Sequence, residues 1–244
     1  MVKIAPILVF LLLPCIGWAQ WSVGVEGGPA RFILNWQDGL EMKWNQPTWE
    51  VSGGWRSDFL YFGHVVPWPG RLALSASITP RITYGATFRS EEINTPFTVG
   101  STVFGEKKGG KGGGKEKDEA IQVSLRAQSF SFDASLPVRP GLSAQGRLDC
   151  LAFGIAAQGK VDGKQVSAEE SVSRWYPAVG LEYRHQYALI VGAVGPGYTF
   201  LKAGLEWPVR PDLTLTTAFR LREFRGGDFR LTERGWMFGG EINF

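Results

Sequence analysis

Few residues in this chain of 244 belong to types that do chemistry, and they are scattered. Histidine occurs at His64 and His185, and cysteine at Cys15 and Cys150. A zinc site takes three or four Cys, His or carboxylate ligands at defined spacings. Neither histidine has such neighbours, so no metal is expected. Asp58 and His64 share one strand parity but lie six residues apart, about 20 Å along an extended strand. That is too far for the carboxylate to orient the imidazole. Gly105-x4-Gly110-Lys111-Gly112 imitates a phosphate-binding loop until its last position, where Ser or Thr should hold magnesium. No strand precedes it and no helix follows, so a solvated loop without a cofactor is expected.

Charges that recur at alternate positions say more. Alternation places Arg56, Arg81, Arg89, Arg126, Arg147, Arg184, Lys202, Arg220 and Arg222 on one set of faces, with Asp58, Asp133, Asp149, Glu182, Glu206 and Glu241. If those faces line a narrow lumen, the mixed signs must pair, because an isolated buried charge is costly. The set has nine cations and six carboxylates. It predicts either a polar plug or a slightly cation-lined pore for small anionic solutes. Barrels of about eight strands are filled by their own side chains, whereas those of 16 or more leave a channel. The plug is therefore the expected state.

The elements that must carry these charges are strands. From Arg71 to Arg89, Leu72, Leu74, Ala76, Ile78, Pro80, Ile82, Tyr84, Ala86 and Phe88 hold one parity against a mainly polar other parity. Period-2 alternation this long exceeds an ordinary soluble strand and suits one that crosses a bilayer and continues. Candidate strands lie at 21–36, 49–65, 71–89, 120–136, 142–158, 172–184, 187–194, 198–207, 213–224 and 233–244. Ten strands are expected. Eight result if the short runs fail, and twelve if Pro80 marks a turn, since a paired strand resists proline. In 213–224, Leu213, Leu215, Thr217, Phe219 and Leu221 should face out; in 120–136 the apolar parity changes, which predicts a bulge near Ala127–Ser129.

Similar turns at 66–70, 137–141 and 208–212 combine proline with Gly or Asp, the chemistry of hairpin ends. Longer polar connections are expected at 91–119, 159–171 and 225–230, the first with a mobile Gly/Lys-rich loop at 105–118. Short turns on one side and long loops on the other match an outer-membrane barrel. Trp68 and Trp207 flank two of these turns, where an interfacial belt would sit.

Residues 1–19 combine Lys3, an apolar run from Ile7 to Leu13, and the small residues Gly17 and Ala19. That is the pattern of a signal peptide, too short to span a bilayer. Removal of this leader would leave Cys150 alone, so a disulfide framework is excluded as the source of stability. A formal charge of +3 gives no case for nucleic acid.

The C-terminal segment resembles the closing strand of bacterial outer-membrane β-barrels, which ends in an aromatic residue preceded by apolar residues at alternate positions. Trp236, Phe238, Ile242 and Phe244 match; Gly240 departs. The resemblance implies recognition by the barrel-assembly machinery and residence in outer-membrane lipid. Two enzyme families of that class carry motifs of their own. Omptin-like proteases use paired Asp with an Asp–His pair, and lipid A deacylases an adjacent His-Ser pair; here His64 precedes Val65 and His185 precedes Gln186. The expectation is thus an all-β, closed, antiparallel up-and-down transmembrane barrel over residues 20–244. Its role would be structural or surface-interacting, with no catalytic residues, and its alternatives a porin or a membrane-embedded hydrolase.

Overall fold

A computed structural model describes residues 20–37, 39–57, 72–89, 97–105, 120–161 and 164–244. The elements are β1 (Gln20–Trp36), β2 (Leu40–Ser57), β3 (Leu72–Arg89), β4 (Phe97–Val99), β5 (Thr102–Phe104), β6 (Ala120–Arg139), β7 (Leu142–Val161), β8 (Lys164–His185), β9 (Ala188–Gly195), β10 (Tyr198–Arg210), β11 (Leu213–Arg225) and β12 (Phe229–Asn243). Ten of them close into one antiparallel barrel in the order β1-β12-β11-β10-β9-β8-β7-β6-β3-β2, and β4 and β5 form a separate hairpin. The eight- and twelve-strand alternatives fall away. Closure runs from Ser22 opposite Asn243 to Trp36 opposite Phe229. It leaves no free edge on the first or last strand, the hazard a membrane barrel must remove.

Pro140-Gly141 and Pro211-Asp212 make two-residue turns at the end that holds Gln20 and Phe244, the first and last described residues and hence the terminus end. Gly141 has φ +78°, and its carbonyl accepts from the Arg184 N–H at 2.7 Å; that left-handed backbone is why glycine stands there. The 66–70 turn, His64, Asp58, the leader at 1–19 and the loop at 106–118 lie outside the described residues.

The side-chain pattern splits the barrel into two tiers. Toward the termini the outer face is apolar, with Trp21, Val23, Val25, Trp49, Val51, Val179, Leu181, Leu215, Phe238 and Ile242 exposed. Toward the other end, apolar side chains turn inward. Phe32, Leu34, Trp36, Leu40, Met42, Trp44, Val123, Leu125, Phe153 and Ile155 form a single buried cluster there. The pleat does not change between the tiers: β6 pairs with β7 in unbroken register from Gln122–Gln158 to Pro137–Ser143. Ile121, Val123 and Leu125 therefore face inward, not outward, and no bulge exists at Ala127–Ser129 on β6. What changes is which face is oily.

The bulge lies on β3 instead. Thr79 pairs with Ser129 and Ile82 with Ala127, so one extra residue is inserted around Pro80. Proline is tolerated at such a site because it has no ladder N–H to offer. Ile78 is exposed outside, whereas Ile82 is buried inside, and Tyr84, Ala86 and Phe88 pack against the inner core. The continuous greasy row expected to face out thus crosses the wall at Pro80.

The upper tier is not a complete ring. β2 pairs with β3 only between Val51–Ile78 and Ser57–Leu72, and β8 with β9 only from Val179 to His185. Above those points β2, β1, β12 and β11 form one sheet and β3, β6, β7 and β8 another. They meet through ring contacts: Trp44 on Tyr84 at 4.7 Å, and Phe153 edge-on to Phe229 at 4.4 Å and Trp36 at 5.6 Å. The expected loop at 159–171 is mostly strand, with β7 and β8 running on to Val161 and Lys164, and that at 225–230 narrows to 226–228 between β11 and β12.

Candidate functional site

The lumen carries the clearest chemistry. At its terminus end is a cavity of about 170 Å³ whose lining includes Ser22, Glu26, Ser52, Glu182, Glu206 and Glu241. Arg184 bridges Glu182 and Glu206, the latter at 3.0 Å, and Lys202 Nζ reaches Glu26. These pairs remain partly exposed, so each contributes little by itself.

Deeper in, a girdle of buried charge crosses the barrel. Arg220 donates to both Glu50 and Glu233; Arg222 donates to Glu50 at 2.9 Å and to Ser129 Oγ at 2.8 Å. Arg147 donates through Nε to Asp149 at 2.6 Å, while its guanidinium carbon lies 4.1 Å from the Phe200 ring centre. Ser131 Oγ donates to Asp149 as well. Register puts these groups together. Arg222 sits opposite Glu233 across the β11–β12 hairpin, Glu26 opposite Glu50, and Arg147 opposite Asp133. Arg222 and Asp149 are completely buried. Charges this deep survive only because every one has a hydrogen-bonding counterpart, and removing one partner leaves an uncompensated ion.

Above the girdle, Tyr176, Tyr198 and Phe224 pack together, with Tyr198 Oη accepting from Arg147 Nε at 3.1 Å. The apolar cluster of the upper tier follows, and the β4–β5 hairpin finishes it. Phe97, Val99 and Phe104 are buried. Trp36 Nε1–H donates to Thr98 O at 3.2 Å, the Thr98 N–H to Gln37 Oε1 at 2.7 Å, and the Gly100 N–H to Glu170 Oε2 at 3.2 Å.

Ten of the charges marked in the sequence stand in this lumen: Asp133, Arg147, Asp149, Glu182, Arg184, Lys202, Glu206, Arg220, Arg222 and Glu241. Arg81, Arg89 and Arg126 do not. They are exposed on the outer face of the upper tier. For Arg81 and Arg89 the bulge at Pro80 reverses the parity on which the expectation rested, and Arg126 lies in the part of β6 whose inner residues are Leu125 and Ala127. Arg56 belongs to β2, but its side chain, like Asp58, lies outside what is described. Glu26, Glu50 and Glu233 are lumen residues that sequence reasoning missed. Glu233 is as far from the Gly227-Asp228 turn as Arg222 is, so hairpin counting could have paired them.

With these three added, the described lumen holds five cations (Arg147, Arg184, Lys202, Arg220 and Arg222) against eight carboxylates. The expected excess of positive charge is reversed. Trp236, Phe238 and Ile242 project outward from β12, and they and Phe244, just beyond it, are exposed. His185 ends β8, exposed and stacked on Tyr183 at 6.2 Å. Among the described residues, no group of three His, Cys, Asp or Glu is arranged to hold a metal.

No family model and no curated protein matches this chain. Solved structures do align with it. The outer membrane protease OmpT of Escherichia coli aligns at 10% identity and TM-score 0.46, over 93% of this chain and 96% of that one. The attachment invasion locus protein Ail of Yersinia pestis aligns at 12% identity and TM-score 0.42, over 93% and 99%. The translocator domain of the autotransporter NalP from Neisseria meningitidis aligns at 9% identity and TM-score 0.42, over 98% and 96%.

Proposed function

We propose that the chain is a non-conducting outer-membrane β-barrel whose role is structural or surface-interacting: the lower tier anchors it in the bilayer, and the upper tier is a packed platform presented to the exterior. The observation that carries this reading is the pair of stacked layers across the lumen. The girdle of Arg147, Asp149, Arg220, Arg222 and Glu233 is buried, and the apolar cluster above it is packed ring on ring. An aqueous path would have to break both, whereas a ten-stranded barrel of this bore is filled by side chains. The exposed aliphatic and aromatic band on the outer wall supports membrane residence, since a surface this apolar is stable only in lipid. Export is supported by the leader-like pattern of residues 1–19. The orientation follows from the long connection between β3 and β6, which opens on the end opposite the termini.

Planar-bilayer recording of the refolded protein tests the reading. Silence at membrane potentials that leave the barrel folded is the expected result. Steady unitary currents would replace the closed platform with a pore.

A further inference from the structure

On the outer wall, just above the apolar band, arginines stand side by side. Arg31 on β1 is directly opposite Arg234 on β12. Arg81 and Arg126 form a second pair on β3 and β6: Arg126 faces Thr83, two residues along from Arg81. All four are exposed. Among the described residues none of the four has a hydrogen-bond or ion-pair partner. Like charges this close across a sheet destabilise it, so two such pairs call for an anion.

Their height says where the anion would come from. Arg234 is two residues above the exposed Trp236; Arg81 and Arg126 stand two and four residues above the level of Phe130, which the exposed Trp175 shares on β8. Two residues is about 7 Å of strand. Outward aromatics mark the boundary between hydrocarbon and headgroups, so both pairs lie at the depth of the lipid headgroups on the exterior side. The second pair also borders a shallow groove of about 380 Å³ on the outer face, floored by Ala152, Gly154, Ser171 and Ser173, with Glu169 at its margin. Small residues there leave room for a headgroup to lie against the wall.

We propose that these two arginine pairs bind phosphate groups of outer-leaflet lipid, each pair clamping one phosphate. The guanidinium fork suits this, because it presents parallel donors to phosphate oxygens and is always charged. The proposal rests on the outer-membrane reading above, and it adds a specific lipid chemistry to it.

The test uses the full chain refolded into phosphatidylcholine vesicles with and without diphosphorylated lipid A, followed by its thermal unfolding midpoint. Lipid A should raise the midpoint by several degrees. The paired variants R31Q/R234Q and R81Q/R126Q should each lose a large part of that rise while unfolding like the native chain in phosphatidylcholine alone. An undiminished rise in both variants overturns the proposal, and so does an equal rise from free inorganic phosphate or from phosphatidylglycerol. Failure of the native chain to enter phosphatidylcholine vesicles would instead sink the outer-membrane reading itself.

Discussion

The two tiers use the same strands, one continuous pleat and opposite rules. On β8, odd-numbered residues face outward throughout, yet Val179 and Leu181 below are oil, while Ser171 and Ser173 above are polar. On β2 the inward row reads Leu40, Met42, Trp44 above and Glu50, Ser52 below. Lipid tails are as apolar as leucine, so they give the lower tier no reason to bury oil inside and leave the lumen free for ion pairs. Water restores the ordinary hydrophobic drive above, where burying each large side chain contributes about 1.5–3 kcal/mol. On the outer-membrane reading proposed above, the level at which oil changes faces marks the membrane surface.

That contrast can be broken in graded ways. The largest effect is expected from Arg222→Met, which leaves Glu50 and Glu233 to share Arg220 alone in the girdle and should destabilise by about 3–5 kcal/mol, measured by denaturant unfolding in vesicles. A loss below about 1 kcal/mol would mean the girdle is hydrated rather than dry. Next comes Val179→Arg, on the outer wall midway between Trp175 and Tyr183, at about 2–4 kcal/mol. Ser171→Arg, eight residues along the same face, should stay within about 0.5 kcal/mol. Equal costs at the two sites would erase the boundary between the tiers. Ile155→Val in the upper core should cost about 1 kcal/mol through a lost methylene and the gap it leaves. Smallest of all is Lys43→Gln, which breaks the exposed pair with Glu41 for under about 1 kcal/mol; a larger loss would show that the upper surface is not simply solvated.

The class of fold was legible in the sequence because period-2 patterning, turn chemistry and the closing strand all agree. Strand number followed from counting hairpins. The upper core was not legible, for a reason visible in β1: Trp21, Val23 and Val25 hold one parity and Phe32, Leu34 and Trp36 the other, which reads as a slip in register although the pairing with β2 is unbroken. β3 misled in the opposite direction. Its oily residues keep one parity only because the insertion at Pro80 and the change of surroundings coincide and cancel. Ten of the thirteen described lumen charges were found from alternation alone, as where Arg220 and Arg222 share a face with Ala218 and Thr216. Glu26 and Glu50 were hidden because they lie at the level where the pattern inverts.

The insertion at Pro80 also bears on how the barrel assembles. A one-residue slip turns every side chain of a strand to the other face, so without the extra residue β3 could match β6 correctly along its lower half or its upper half, never both. Two rival alignments therefore compete as this strand docks, each satisfying half of its partners. A backbone that cannot donate at residue 80 gives up least by stepping out of line there, and this makes Pro80 the point at which that choice is resolved.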